Sequence, residues 1–331
     1  MKNKQIVGID VSKKTLDVLL LKSNHSFQVT NNPSGFVKLL QESIQVSGCS
    51  KDSLHFCFEN TGCYSKLLSV FLQDAGITFN AFDALDIKRS MGLSRGKSDK
   101  KDARVIALYA WRRRDELVST TLPGAVFDQL SALLSHREML IKQRTALKNA
   151  SKGHYNSYSE NEFKFLKESQ MRMIQQLTAE IKITECEILS HINTNAELKS
   201  NYELLLTIKG IGKILGFYLI SLTHNFIKFT DPRKFACYAG IAPFEYSSGT
   251  SVKGKTKVHP CANKQIKSLL NMAAMSAIQL PGEFQMYYLR RTADGKNKMS
   301  TLNIIRNKLI FRAFAVVKRG SPYIDLHKFA A

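Results

Sequence analysis

The chain has 331 residues, 44% of them apolar, enough to bury a real core and long enough for two or three domains rather than one. Lys and Arg number 48 against 27 Asp and Glu, a formal net charge of +21 that points to a polyanionic partner and selects nucleic acid without selecting chemistry. No run approaches the roughly 18 apolar residues of a membrane span, the charged start MKNKQIVGID does not suit a signal peptide, and the six cysteines form no CxxC pair suited to zinc. The expectation is a cytoplasmic protein with free thiols and no membrane partner.

The amino-terminal third reads as an α/β sheet. A β-branched run from Ile6 to Val11, a polar turn at Ser12 to Thr15 and an apolar run from Leu16 to Leu21 predict two strands joined by a short turn. Asp10 falls inside the first strand, where a carboxylate is costly unless something pairs with it, and a metal ion is one such partner. HSFQVT predicts a third strand. The apolar positions Phe36, Val37, Leu39, Leu40 and Ile44 predict an amphipathic helix. SLHFCFEN is a buried strand ending at Glu59, followed by a helix from about Tyr64. Glu59 therefore sits at the carboxyl end of a strand, the edge where such sheets hold ligands. ITFNAF is the last strand.

The stretch SRGKSDKKDARVIALYA then packs Arg95, Lys97, Lys100, Lys101 and Arg104 around Asp99 and Asp102. Ser98 or Asp99 could be an ordinary helix cap. Yet Asp99 and Asp102, three apart at a helix start, can face one way, and with Asp10 and Glu59 they make four acids delivered by two strands and one helix. Such a set can hold two divalent ions roughly 3.5–4 Å apart that act on a phosphoryl group. All-oxygen ligands favour Mg²⁺ or Mn²⁺, and the surrounding cations suit phosphates. Asp17, in the second strand, reads as structural.

Past WRRRDEL and the break at TLPGAV, apolar residues from Val126 to Leu147 and from Leu166 to Ile192 follow helical spacing, predicting two long helices that pack on each other or on a partner. In LLLTIKGIGKILGFYLI, Gly210 and Gly212 lie between two helical stretches, with Lys213 opening the second. The alternatives are a plain helical turn or a helix-hairpin-helix whose backbone amides meet a phosphate. A compact apolar segment leads into SSGTS, then a lysine-rich loop with Lys253, Lys255 and Lys257, then a helix from about Asn263. Ser/Gly clusters are usually turns, but a serine flanked by phosphate-binding lysines can reach a phosphodiester.

GIDVSK, FENTGCYS, SDKKDA, the helical insert, TIKGIGKILG and AGIAPFEYSSGTSVKGK, in that order over residues 5–315, resemble the DEDD insertion-sequence transposases of the IS110 family. The resemblance implies an RNase H-like, RuvC-type amino-terminal domain (residues 1–115), a helical, coiled-coil-like dimerisation region (116–200) and a mainly α carboxy-terminal transposase domain with a helix-hairpin-helix (201–331). By motif match it implies that Asp10, Glu59, Asp99 and Asp102 form a Mg²⁺-binding tetrad. The serine before glycine, Ser248, would be a nucleophile, with Ser247 the nearest rival and Ser251 a weaker one. Arg95, Lys97, Lys100, Lys101, Gly210, Gly212, Lys213, Lys253, Lys255 and Lys257 are the expected nucleic-acid contacts. The partners implied are donor and target DNA, a structured bridge RNA, and further copies of the chain as a dimer, with a tetramer at synapsis. Two other readings compete: a Mg²⁺-dependent nuclease or junction resolvase in which Ser248 is a turn residue, and a nucleic-acid-binding protein without catalysis.

Overall fold

A computed structural model describes residues 4–90, 99–155, 164–248, 252–258 and 262–325. The chain divides into two compact units, Met1–Leu122 and Pro123–Ala331. The first is a mixed α/β sheet with helices, and the rest is mostly helical. Among the described residues no helix is long and apolar enough to cross a membrane.

The sheet strands are β1 (Gln5–Val11), β2 (Thr15–Leu20), β3 (His25–Thr30), β4 (Leu54–Glu59) and β5 (Phe79–Phe82), in the spatial order β3-β2-β1-β4-β5. β1, β2 and β3 form an antiparallel meander, while β4 pairs parallel with both β1 and β5. Helices α1 (Pro33–Ser47) and α2 (Cys63–Asp74) precede and follow β4, and α3 (Ala84–Ser90) and α4 (Asp99–Arg112) follow β5. α1 starts where the sequence dictates. Asn32 accepts the Gly35 amide at 2.8 Å, Pro33 supplies the first helical φ, and Gly48 ends the helix at φ 63°.

The central strands are apolar on both faces. Val7, Ile9, Phe56 and Phe58 join the core that holds Phe36, Leu39, Leu68 and Leu72 of α1 and α2, whereas Ile6 and Cys57 join Ala103, Ile106, Ala107 and Ala110 of α4. This double burial is why β1 and β4 read as continuous hydrophobic runs rather than alternating ones.

Among the buried polar side chains of this unit is an imidazole. His55 is 1% exposed, and Asn80 presents its Oδ1 to His55 Nε2 at 2.8 Å while its own Nδ2 donates to the Val118 carbonyl at 2.7 Å. That arrangement puts the imidazole proton on Nε2. Burial pulls the His55 pKa down to about 4 from the ordinary 6.5, with Lys4 adding to the effect. As pH falls below 6.5 the unfolded chain takes up a proton that the folded chain refuses until about 4, so stability declines across that window by as much as ~3 kcal/mol. Urea midpoints of the wild type are expected to drop between pH 7 and 4.5 more steeply than those of His55→Gln; parallel profiles would show that His55 does not drive the decline.

In the second unit α5 (Ala125–Tyr155) and α6 (Lys164–Asn193) pair along their length. Arg137 Nε donates to Glu185 Oε1 at 2.8 Å and Arg144 Nη1 to Thr178 Oγ1 at 3.4 Å, seven residues on in α5 for seven back in α6, so the two run antiparallel. Next come α7 (Ala196–Leu206), α8 (Lys213–Thr223), α9 (Pro232–Tyr238), the strands β6 (Phe244–Ser248) and β7 (Val252–Lys257), then α10 (Lys264–Ala277), α11 (Glu283–Ala293) and α12 (Lys298–Arg319). Leu130, Ile188, Tyr202, Phe217, Phe235, Leu270, Phe284 and Leu309 belong to one core drawn from nearly every helix of this unit.

The structure departs from the sequence reading at the lysine-rich loop, which is strand β7, paired antiparallel with β6 (Ser247 opposite Lys253, Ser248 opposite Val252). Lys253, Lys255 and Lys257 fall at alternate positions between Val252, Gly254 and Thr256, a period-two pattern that composition alone disguises as a solvated loop.

Candidate active site

Two of the expected acids come from neighbouring strands. β1 and β4 pair in parallel up to Ile9 opposite Phe58, so one step further Asp10 stands beside Glu59 at the carboxyl ends of both strands. Side chains alternate across a strand, and Ile9 and Phe58 face the α1/α2 core. Asp10 and Glu59 therefore belong to the opposite face, the one α4 covers. Both are partly exposed.

α4 approaches that face because Gly8 has no side chain. A Cβ built at Gly8 meets the Ala103 carbonyl oxygen at 2.3 Å and the Ala107 Cβ at 2.7 Å. The far end of α4, at Leu108 and Trp111, lines a groove with Lys4, Gln5 and Ile6 from the start of β1. α4 therefore runs antiparallel to β1 and brings its amino terminus to the Asp10 end. Asp102, partly buried, lies one helical turn before the buried Ile106, and Asp99 is the first residue of α4, one turn before Ala103. The side chain of Asp99 lies outside the described residues. Among those described, no group of three or more His, Cys, Asp or Glu converges closely enough to hold a metal.

The surrounding loops are tied down. Asn31 Nδ2 donates to the Ser12 carbonyl at 2.8 Å and the Tyr64 carbonyl at 3.0 Å, linking the β1–β2 turn to the start of α2. The Asn60 amide donates to the Phe82 carbonyl at 2.8 Å, which fixes the backbone immediately after Glu59. Asp17, opposite Asp10 across the β1–β2 pair, accepts both hydrogen bonds of Gln28 Nε2, at 2.9 and 3.1 Å, and is 9% exposed. It is satisfied as a structural residue. Lys13 and Lys14, exposed in the turn after Asp10, were passed over in the sequence reading although the signal stood in GIDVSKK itself.

Arg95 and Lys97 lie outside the described residues. Lys100 and Lys101 belong to the first turn of α4, and their side chains are not described. In the second unit the α7–α8 turn treats its two glycines differently. Gly210, at φ 92°, is pressed against α10, where a Cβ would meet the Ala273 carbonyl at 2.5 Å. Gly212 is open and starts α8 without a side-chain cap, leaving that helix end to other acceptors. Lys213 is 3.3 Å from Glu185 Oε2, sharing that carboxylate with Arg137. Lys209 is also engaged, with Asp325 Oδ2 at 2.8 Å and the Pro281 carbonyl. Ser248 is the last residue of β6, and Lys253, Lys255 and Lys257 belong to β7.

Two family models match this chain. The DEDD model of IS110, described as a transposase, spans residues 7–159, and the model described as the transposase IS116/IS110/IS902 family spans 202–289. The first span contains Asp10, Glu59, Asp99 and Asp102; the second contains the α7–α8 turn and Ser248. Over 332 residues the chain is 29% identical to the pilin gene-inverting protein of Moraxella lacunata, covering 97% of this chain and 98% of that one. The protein of the same name from Moraxella bovis matches to the same extent. An insertion element IS110 protein of Streptomyces coelicolor is 27% identical over 134 residues, 40% of this chain and 33% of that protein.

Proposed function

The chain belongs to the IS110 family of transposases, which process DNA, and from that premise we propose that it is an RNA-guided recombinase that exchanges DNA strands through a covalent phosphoserine link. Ser248 is the nucleophile, and Asp10, Glu59, Asp99 and Asp102 are the metal-binding acids. The observation that carries the reading is the meeting of Asp10 and Glu59 on the face covered by α4, with Asp102 on that helix. The strand order β3-β2-β1-β4-β5 supports an RNase H-like, RuvC-type domain, and the α7–α8 pair supports a helix-hairpin-helix.

The donor set is all carboxylate, which fits Mg²⁺ or Mn²⁺ and not a thiolate- or imidazole-preferring metal. Such an ion, held by the four acids, supplies Lewis-acid polarisation of a phosphoryl oxygen. The chain's own residues do the rest. Ser248 Oγ attacks phosphorus and loses its proton; one DNA oxygen leaves as a hydroxyl, so a P–O bond to serine replaces a P–O bond to DNA. Attack by a hydroxyl of another strand reverses the exchange and frees the serine, with no net hydrolysis. That conservation separates a recombinase from a nuclease, and the relative named for gene inversion favours it, since an inverted segment is rejoined at both ends.

The net charge of +21 suits simultaneous binding of a structured bridge RNA and of donor and target DNA. The antiparallel α5–α6 pair, within residues 116–200, serves as the dimerisation element, with a tetramer at synapsis, and the protein works in the cytoplasm. The residues taken to follow nucleic-acid backbone are Arg95, Lys97, Lys100, Lys101, Gly210, Gly212, Lys213, Lys253, Lys255 and Lys257, to which Lys13 and Lys14 are added.

The test is a denaturing gel of full-length protein, its copurifying RNA, Mg²⁺ and DNA bearing the element's junction. A slow-migrating protein–DNA adduct, lost when EDTA replaces Mg²⁺, is expected. Cut DNA without an adduct would make the protein a metal-dependent nuclease instead.

A further inference from the structure

Arg306 is a buried charged residue of α12 without a partner among the described residues. It is 6% exposed, its Nε is sealed from solvent, and no acceptor among the described residues bonds it. A guanidinium keeps its charge in a protein, and a buried charge without a counter-group is a large cost. Six residues on, Arg312 shows the ordinary solution, with Nε and Nη2 each donating to Glu283 at 2.9 Å. Two other acids of this unit are likewise taken, Asp325 by Lys209 and Glu185 by Arg137 and Lys213. Burial pulls the Arg306 pKa down, and no neighbouring acid opposes it.

Its surroundings say what kind of group completes it. Asn303, one turn earlier on the same face of α12, donates from Nδ2 to the Ile241 carbonyl at 2.9 Å, which holds the chain just before β6. Asn307, beside Arg306 and one turn after Asn303, has a buried Oδ1 with no hydrogen-bond partner among the described residues. Oxygen and nitrogen of such an amide exchange places on a flip, so this position can offer a donor as well. The chain leaving β7 returns to the same stretch before β6 that Asn303 holds. The Asn263 amide donates to the Tyr238 carbonyl at 2.9 Å, and a Cβ on Gly240 would meet the Ala262 Cβ at 2.5 Å. Arg306 and Asn307 thus share a helix face with Asn303, whose side chain reaches the chain just before β6.

We propose that Arg306, with Asn307, binds a phosphodiester oxygen of DNA at the foot of the β6–β7 hairpin, and that its guanidinium lacks a protein acceptor because the phosphate is its partner. The choice of DNA rests on the reading of Ser248 as the nucleophile. The residue is an anion-binding and positioning group for the strand presented to the hairpin. A guanidinium can hold two oxygens of one phosphate at once.

The experiment uses the full chain and the variants Arg306→Met and Arg306→Lys. Without nucleic acid, Arg306→Met is expected to melt at or above the wild-type temperature, because an apolar side chain replaces an uncompensated charge. With a fluorescein-labelled duplex carrying the junction, its affinity is expected to fall about tenfold or more, and the slope of log K against log salt to lessen by about one. Arg306→Lys, which keeps the charge, is expected to restore the slope. Wild-type affinity and slope in Arg306→Met would overturn the proposal. So would a melting temperature far below wild type, or failure to fold, since either means that the protein itself satisfies Arg306. A loss confined to a labelled RNA duplex would overturn the assignment to DNA. The readout is binding, so it is independent of serine chemistry: an adduct that survives Ser247→Ala, Ser248→Ala and Ser251→Ala alike would remove the serine reading and leave an Arg306 phosphate site standing.

Discussion

Ser248→Ala is expected to eliminate the covalent protein–DNA adduct and to lower strand exchange by at least ~10³-fold, with RNA binding and the melting temperature at wild-type values. The expected effect is large because in the proposed mechanism serine becomes bonded to phosphorus; alanine would remove that nucleophile and leave no substitute atom in its place. Stability is expected to be spared because Ser248 is the last residue of β6, opposite Val252, and a strand end tolerates alanine. Ser247→Ala and Ser251→Ala are the discriminating controls, and both should keep the adduct. If Ser247→Ala loses it and Ser248→Ala does not, the nucleophile moves by one residue and the mechanism stands. If all three single variants keep it, no serine of this hairpin is bonded to DNA.

How much of this was legible beforehand differs between the two units. Asp10 was visible because a carboxylate inside a β-branched strand is anomalous, and Glu59 because it closes an apolar run. Their register was not, since pairing of β1 with β4 depends on the crossover through α1. The β6–β7 hairpin was hidden by its lysines, whose charge suggests a solvated loop even when they alternate with Val252, Gly254 and Thr256. Arg306 gave no signal at all. In KMSTLNIIRNKLIFRAF a cation at helical spacing reads as a solvated face, because Arg is almost never buried, and only the packing of α12 shows that this one is. Gly8 was hardly more conspicuous, one glycine in GID, and it is what lets α4 lie against β1.

The second large effect follows from that glycine. Gly8→Ala is expected to lower stability by ~1–3 kcal/mol, and Gly8→Val by more, with adduct formation lost even at temperatures where the variant stays folded. The added Cβ would lie 2.3 Å from the Ala103 carbonyl and 2.8 Å from the Ala107 amide nitrogen, both backbone atoms of α4, so no side-chain rotation relieves it. β1 has nowhere to retreat, because Gly8 is paired with Leu19 on one side and Cys57 on the other. α4 must therefore lift, and its first turn carries Asp99 and Asp102 away from Asp10 and Glu59. Gly124→Ala, at a position with open space around it, is the control and should melt as wild type does. Higher Mg²⁺ is expected to restore part of the adduct in Gly8→Ala, because an ion bound through fewer acids is held more weakly and not differently. Unchanged stability and adduct yield in Gly8→Ala would mean that α4 does not rest on β1, and the convergence of strand and helix acids would fall with it.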